Sequence, residues 1–367
     1  MSAAASQLPQ VGREDLTDQP ELDRTKIRRR LLVIAAVVLA TVAVISLVPG
    51  LASLRSRFAH ADVVWLLAGA ALKVLSGVSY VVVFRAVFCE RMRWRLSGEI
   101  GFAELGANAV IPTGGAGGLA LGAWALKRSG MDDARIARRS VAFFLLTSVP
   151  NVLGVIILGF GLAIGVFSAR AGLTLTVLPA VVATAAVVLT IASGRWAAAA
   201  QRRVRASRGR GSRLAQVLGA LASGVHESLE LLRRPNPLLL AGLVGYLAFD
   251  VAILWATFEA FGAAPAIPIL CIAYLIGELG GLIPVPGGIG GVDLGLVGMF
   301  ALYNVPIGTA TAAVLAYRAI ALVVPAVLGL PAFVLLRRSL SRETAVISSC
   351  GPDGEVEVIG RGRVRLS

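Results

Sequence analysis

Long apolar runs alternate with short basic segments along most of the chain. An apolar run of about 20 residues is long enough to cross the hydrocarbon core of a membrane as a helix. Six runs meet this condition: Leu31–Val48, Val63–Phe88, Val141–Phe167, Leu173–Ala192, Leu238–Phe261 and Thr309–Leu336. The pattern therefore predicts an all-α polytopic membrane protein with six full spans.

Two further apolar stretches, Gly101–Leu126 and Tyr274–Met299, are interrupted by prolines and glycines. Such breaks leave backbone groups unpaired, which membrane proteins tolerate only inside protein or beside a wet cavity. Basic clusters flank the first stretch on both sides, whereas the flanks of the second carry no positive charge. We therefore expect two re-entrant broken-helix hairpins, the first entering from the cytoplasmic face and the second from the outer face.

The two interrupted stretches resemble each other. Residues 114–122 read GGAGGLALG and residues 287–295 read GGIGGVDLG, with six of nine positions identical. Each segment follows a proline and a Glu-Leu-Gly, and Glu104 lies 174 residues before Glu278. Because one repeat begins inside and the other outside, the pattern predicts two inverted-topology repeats, an arrangement that places substrate sites near the membrane midplane. A dual-topology repeat or a purely structural repeat is the alternative.

Composition agrees with this class: hydrophobic residues make up 57% of the 367, and only 15% are charged. We expect a disordered cytoplasmic tail over residues 1–30, a transmembrane domain over 31–338 and a cytoplasmic tail over 339–367. The repeats occupy 31–167 and 173–338, and a basic cytoplasmic loop occupies 194–237. The last tail is too short for a catalytic domain.

The net charge of +14 is concentrated between the apolar runs. This distribution matches the positive-inside rule and does not indicate nucleic-acid binding, so we expect a cell-membrane protein with both termini cytoplasmic. Within the basic loop, apolar residues recur at helical spacing from Leu214 to Leu232. They predict an amphipathic helix that either lies at the membrane interface or packs under the bundle.

Ionisable residues within apolar runs are costly, so they usually face a cavity or a partner. Six residues fit this description: Lys73, Glu104, Asp250, Glu278, Asp293 and Arg318. A Lys73–Asp250 ion pair across the repeat axis would be a purely structural solution. The functional alternative is that Lys73 and Arg318 attract an anionic group while the carboxylates hold a cation or a proton.

The glycine loops predict a second attraction for anions. If each loop opens a half-helix, unpaired N–H groups would point into the cavity and suit a phosphate. The residues concerned are Gly114, Gly115, Pro286, Gly287 and Gly288. Cys89, Cys271 and Cys350 have neither metal-ligand nor paired spacing, so no metal, cofactor or disulfide framework is predicted.

The run IGELGGLIPVPGGIGGVD at residues 276–293 resembles the lysylphosphatidylglycerol synthase transmembrane-region family, as do Asp250 before Ala-Phe-Gly, Tyr317-Arg318 and Pro325. That family is flippase-like, and the resemblance covers Leu31–Arg338. It implies a lipid-translocation role in which Asp293 and Arg318 are functional. The family often has Glu at position 293, and often has charged residues in the first hairpin, where this chain has none.

Three functions follow as hypotheses. The first is a flippase-like protein that moves a phospholipid or a lipid-linked headgroup, with an anionic or aminoacylated lipid as its partner. The second is a non-transporting accessory subunit that holds a lipid-modifying or glycosyltransfer enzyme, or a second copy of itself. The third is a small-solute transporter. An enzyme is not expected, because no aminoacyltransferase domain follows and no catalytic constellation is recognisable.

Overall fold

The computed structural model describes residues 52–110, 116–166, 173–208, 213–233, 236–262, 264–278 and 291–342. Within these ranges 90% of the residues are helical and none lies in a strand, which confirms the all-α prediction. The helices of this described part are α1 (Ala52–Ala59), α2 (Val63–Phe88), α3 (Trp94–Val110), α4 (Ala116–Arg128), α5 (Asp133–Ala163), α6 (Leu173–Arg208), α7 (Arg213–Arg233), α8 (Pro237–Ala260), α9 (Ile267–Glu278), α10 (Gly291–Leu302) and α11 (Ile307–Arg342).

Five of these helices are long and apolar enough to cross a membrane, namely α2, α5, α6, α8 and α11. They coincide with five of the six predicted spans, which establishes a multi-pass membrane protein. The sixth prediction, Leu31–Val48, lies outside the described residues, as does the predicted N-terminal tail. Of the predicted C-terminal tail, only residues 339–342 are described, and they end α11.

Short polar residues begin three of the long helices. Asp62 accepts a hydrogen bond from the Val64 N–H at 2.8 Å, and Asp132 accepts one from the Ala134 N–H at 3.0 Å. Asn236 does the same for Leu238 at 2.9 Å, with Pro237 as the first helical residue. These side chains satisfy N–H groups that have no partner within the helix, so they define where α2, α5 and α8 start.

Small residues allow α2 and α8 to lie in close contact. A Cβ atom on Gly242 would lie 2.9 Å from Val83 and 3.2 Å from the Ser79 carbonyl oxygen. A Cβ atom on Gly245 would lie 2.8 Å from the Ser79 hydroxyl. The two helices therefore approach each other as glycine-containing membrane helices do, and their contact brings Lys73 opposite Asp250.

Helices α3 and α11 cross at a second close contact. A Cβ atom on Gly106 would lie 2.6 Å from the Gly329 Cα, and one on Gly329 would lie 2.5 Å from the Gly106 Cα. Because both obstacles are backbone atoms, neither can move aside, so only glycine fits at this crossing. The crossing holds α3 against the last long helix.

The apolar core of the described residues consists of two clusters. The first is formed mainly by α2 to α5, where the rings of Phe84, Phe88 and Phe143 stack at centroid distances of 4.6–6.0 Å. The second is formed mainly by α8 to α11, around Phe258 and Phe300, whose centroids lie 4.7 Å apart. The charged residues predicted from the sequence lie on helices that belong to these clusters.

The basic loop predicted over residues 194–237 is largely helical. α6 continues to Arg208, well beyond the predicted end of its span at Ala192. The physical reason is that alanine, glutamine and arginine are strong helix formers, so the positive charges end the apolar part but not the helix. The predicted basic loop therefore consists largely of the end of α6 and of α7.

The predicted amphipathic helix is observed as α7, and it packs on α5 and α6. A Cβ atom on Gly224 would lie 2.5 Å from the Val141 Cβ, and one on Gly194 would lie 2.7 Å from Val225. Of its apolar residues, Leu218 and Val225 are buried. Contact with the helix bundle is therefore present, as the second interpretation of this helix requires.

The cysteine prediction needs one correction. Cys89 is disulfide-bonded, whereas Cys271 is a free thiol. Spacing along the chain does not reveal this bond, because a disulfide depends only on how closely two residues approach in space.

Candidate functional site

Five ionisable side chains from five helices form one charge cluster. They are Lys73 on α2, Asp250 on α8, Glu278 on α9, Asp293 on α10 and Arg318 on α11. All five were predicted from the sequence as candidate site residues. With three carboxylates and two basic groups, the cluster carries an excess of acid when every group is ionised.

The shortest contact in the charge cluster joins Lys73 to Asp250. Lys73 Nζ donates to Asp250 Oδ1 at 2.7 Å, and Ser76 Oγ donates to the same oxygen at 2.8 Å. About a tenth of each charged side chain is exposed. The predicted ion pair therefore forms, and it connects α2 to α8.

Asp293 and Arg318 form the second ion pair, at a longer distance. Asp293 Oδ1 lies 3.5 Å from Arg318 Nε, and both side chains are nearly one-fifth exposed. Asp293 is in the first turn of α10, where a carboxylate is favoured by the positive end of the helix dipole. This pair has a weaker geometry than the Lys73–Asp250 pair.

Glu278 interacts with both ion pairs. It ends α9 and interacts electrostatically with Asp250, Arg318, Lys73 and Asp293. A single carboxylate therefore interacts with all four members of the pairs, which makes the five charges one electrostatic unit.

Three of the five tyrosines of the chain interact with Asp250 and Glu278. Tyr246 interacts with Asp250 and Glu278. Tyr274 and Tyr317 pack edge to face with ring centroids 6.2 Å apart, and both interact with the same two acids. The sequence analysis missed these residues, although Tyr246 precedes Asp250 by four positions, as Tyr274 precedes Glu278. This spacing places each tyrosine on the same helix face as its acid.

Glu104 occupies a separate buried position beside the charge cluster. Tyr80 donates a hydrogen bond to Glu104 Oε2 at 2.8 Å, and the carboxylate lies against Gly122 so closely that a Cβ atom there would collide with it. The Tyr80 ring is 5.7 Å from that of Tyr246. Through these two rings, Glu104 is connected to Asp250 without touching it.

Asn108 is another residue that the sequence analysis did not select. Its Oδ1 atom accepts a hydrogen bond from the Gly118 N–H at 2.7 Å, which joins α3 to the first turn of α4. The loop residues Gly114, Gly115, Pro286, Gly287 and Gly288 lie outside the described residues. Their predicted role in holding a phosphate stays a prediction.

Chemically, the charge cluster offers two kinds of binding group in a low-dielectric setting. The carboxylates and tyrosine hydroxyls suit a cationic group such as an amine, and the lysine and arginine suit a phosphate. Among the described residues, no group of three His, Cys, Asp or Glu side chains has an arrangement that holds a metal ion.

Comparison with known proteins gives one finding. The family described as lysylphosphatidylglycerol synthase TM region matches residues 32–329, which include every member of the charge cluster. No curated protein matches the chain.

Proposed function

The chain belongs to the lysylphosphatidylglycerol synthase TM region family, and from that premise we propose that it is a flippase-like protein of the cell membrane. Its substrate would be a phospholipid or a lipid-linked headgroup that crosses through a cavity near the midplane. The observation that carries the proposal is the convergence of five charges from five helices on one buried cluster.

The cost of burying charge supports this role. Each ionised side chain at the centre of a membrane helix costs roughly 2.5–3.5 kcal/mol on insertion scales. The Lys73–Asp250 pair offsets part of that cost, but Glu278 adds a further charge that pairing does not balance. An unbalanced acid is useful in a cavity that receives a cationic headgroup or a proton.

We also propose that the two halves are inverted repeats with re-entrant hairpins. The hairpin helices α4, α9 and α10 have 12 or 13 residues, fewer than the ~20 needed to cross a membrane. Corresponding glycines also pack near corresponding acids, since Gly122 contacts the Glu104 side chain and Gly295 contacts the backbone of Gly277, the residue before Glu278. Lys73 and Asp250, which correspond in the repeat, contact each other.

The two ion pairs would have different roles. The Lys73–Asp250 pair, held at 2.7 Å and supported by Ser76, joins the two halves. The Asp293–Arg318 pair, at 3.5 Å, is the one that a headgroup can exchange. A phosphate would take Arg318, and the released Asp293 would join Glu278 in holding an amine. Lipid tails would stay in the bilayer.

The test is a headgroup-labelled lipid scrambling assay in proteoliposomes containing the full chain. Wild type is compared with Arg318→Ala and Asp293→Asn across anionic, zwitterionic and aminoacylated lipids. Lys127→Ala is the matched control, because Lys127 is two-thirds exposed and pairs with Asp133 on the surface. We expect wild type and control to move a lipid and the two cluster variants to lose most of that movement.

Other outcomes would support other functions. Uptake of a soluble solute without lipid movement would indicate a small-solute transporter. If neither lipid nor solute moves although all variants insert correctly, the result would favour a membrane accessory subunit of a lipid-modifying or glycosyltransfer enzyme. We propose that the chain itself is not an enzyme, so mass spectrometry of the liposome lipids should reveal no new species.

The proposed orientation has both termini in the cytoplasm, because the basic segments gather there under the positive-inside rule. Cysteine-accessibility labelling of residues added at each end of the chain in intact cells would test this orientation. Labelling of either end from outside the cell would contradict the proposed orientation.

A further inference from the structure

Helices α6 and α7 enclose a groove that the charge cluster does not use. Its volume is about 520 Å³. The base of the groove is made by small and aliphatic side chains, among them Ile191, Ala198, Ala222 and Leu229. A groove of this lining suits a hydrocarbon chain.

Two arginines are among the residues that line the groove. Arg195 belongs to α6 and Arg233 to the last turn of α7, and both side chains are exposed. Within the described residues, neither forms a hydrogen bond or an ion pair with another side chain. In contrast, Arg138 and Arg139 on the neighbouring α5 lie 2.9 and 3.1 Å from the carboxylate of Glu227. The two groove arginines are therefore available to an external anion.

The other charges at this groove do not compete for the arginines. His226 lines the groove and lies 3.2 Å from Glu230, and both of these side chains are more than three-fifths exposed. Glu227 faces α5 instead, where it contacts Arg138 and Arg139. The charge that the groove presents to a ligand is therefore positive.

The surroundings indicate a membrane setting for the groove. The α6 surface beside it exposes large apolar side chains, with Val188 at 60%, Leu189 at 67% and Trp196 at 69%. Arg202 and Arg203 follow on the same helix, which places the groove where the apolar part of α6 gives way to its basic end. Tryptophan and arginine at such a boundary are typical of the headgroup region.

We propose that this groove binds one anionic phospholipid of the cytoplasmic leaflet. An acyl chain lies against Ile191 and Leu229, and the phosphate lies between Arg195 and Arg233. Guanidinium groups recognise phosphate by paired hydrogen bonds, and their aliphatic stems cover apolar surface, so both parts of the lipid find complementary groups. This site is separate from the charge cluster and does not depend on the function proposed for that cluster.

The test is native mass spectrometry of the full chain in neutral detergent, titrated with phosphatidylglycerol or phosphatidylcholine of identical acyl chains. We expect wild type to retain one phosphatidylglycerol more tightly than phosphatidylcholine. Arg195→Gln with Arg233→Gln should weaken that binding by roughly 30-fold, because two arginines next to an anionic headgroup are lost. Arg202→Gln with Arg203→Gln removes the same charge from the same helix outside the groove, and should weaken it by less than about threefold.

A second variant tests the apolar part of the site. Ala222→Trp fills the groove without changing its charge, and it should reduce phosphatidylglycerol binding while helical content and monodispersity are kept. Inorganic phosphate should not displace the lipid. Displacement by inorganic phosphate, or equal losses in the groove and control pairs, would overturn the proposal in favour of a simple anion site or a diffuse positive surface.

The titration is repeated in the Arg318→Ala background, so that a lipid held by the charge cluster is not counted. Persistence of the tight phosphatidylglycerol in that background supports the groove site, whatever the scrambling assay shows. If the tight phosphatidylglycerol is lost in Arg318→Ala but retained in Arg195→Gln with Arg233→Gln, the lipid belongs to the charge cluster and the groove site is refuted.

Discussion

Lys73 and Asp250 are 177 positions apart in the chain, yet Lys73 Nζ lies 2.7 Å from Asp250 Oδ1. Ser76 donates a second hydrogen bond to the same oxygen, at 2.8 Å. A buried ion pair adds little net stability, because removing two charges from water opposes their attraction. Removing only one partner strongly destabilises the fold, because the other charge stays buried without compensation.

We therefore predict that Lys73→Met and Asp250→Asn each destabilise the fold by about 3–5 kcal/mol. The double variant should recover to within about 1 kcal/mol of wild type, because asparagine still accepts the Ser76 hydrogen bond and no charge remains unpaired. The measurement is the free energy of unfolding in mixed micelles. Additive losses in the double variant would show that the two charges do not depend on each other.

The same double variant separates structure from function. If it is stable and still moves lipid in the scrambling assay, the Lys73–Asp250 pair has only a structural role. If it is stable and inactive, the pair also takes part in transport.

A second prediction concerns Gly122 and Glu104, which are in direct contact. Gly122→Ala places a methyl group where the carboxylate lies, and overpacking of this kind costs typically 1–3 kcal/mol. In a Glu104→Ala background the obstacle is gone, so the same substitution should cost much less. The coupling energy from this double-mutant cycle is the quantity to measure.

Gly98→Ala is the matched control for that cycle. Gly98 lies in α3, and no atom lies within 4 Å of a Cβ placed there. Alanine in a helix interior is favoured over glycine by up to about 1 kcal/mol, so this variant should be neutral or stabilising. If Gly98→Ala lowers the free energy of unfolding as much as Gly122→Ala does, contact with Glu104 is not the cause of the loss.

The long helices and the Lys73–Asp250 pair could be predicted from the sequence. Apolar runs interrupted by basic residues specify helices of sufficient length, and the internal repeat places Lys73 and Asp250 at corresponding positions. Corresponding residues come into contact when the two repeats pack against each other through corresponding helices, here α2 and α8. Patterning and repeat register were sufficient for this part because both are properties of the chain itself.

The separation of Glu104 from the charge cluster could not be predicted. It depends on Tyr80, whose hydroxyl satisfies the carboxylate at a distance from Asp250. The close contact of Gly106 with Gly329 likewise depends on the distance between two helices, which no local pattern encodes. The continuation of α6 beyond the predicted end of its span at Ala192 was not predicted, because arginines mark the edge of the membrane and also favour the helix.

A third prediction concerns Glu227 on α7. Its carboxylate lies 2.9 Å from Arg138 and 3.1 Å from Arg139, and Arg139 also donates to the Val87 carbonyl oxygen at 2.8 Å. Glu227→Ala leaves neighbouring arginines without their acid, so α7 should be held less firmly on α5. Hydrogen exchange of α7 should accelerate by roughly tenfold to a hundredfold, because a partly buried ion pair between α5 and α7 is lost.

Glu230→Ala is the control, because Glu230 lies one turn further along α7, is 62% exposed and pairs with His226 on the surface. Exposed ion pairs contribute little, so exchange should change less than about threefold. Similar acceleration in both variants would mean that helix propensity, and not the α5 contact, governs the stability of α7.

The last prediction concerns the hydroxyl of Tyr80, which donates to Glu104 at 2.8 Å while its ring packs on Phe143 at 5.2 Å. Tyr80→Phe keeps the ring and removes only the donor, so the buried carboxylate loses a partner at a cost of about 1–3 kcal/mol. Tyr303→Phe is the control, since the Tyr303 hydroxyl is buried without a hydrogen-bond partner among the described residues. Removing it should leave the free energy of unfolding unchanged or raise it, because a buried hydroxyl without a partner is itself unfavourable. The same substitution is then made in a Glu104→Ala background. If Tyr80→Phe lowers the free energy of unfolding there as much as in wild type, the hydroxyl stabilises the fold through a group other than this carboxylate. The connection from Glu104 through Tyr80 to the charge cluster would then have no energetic basis.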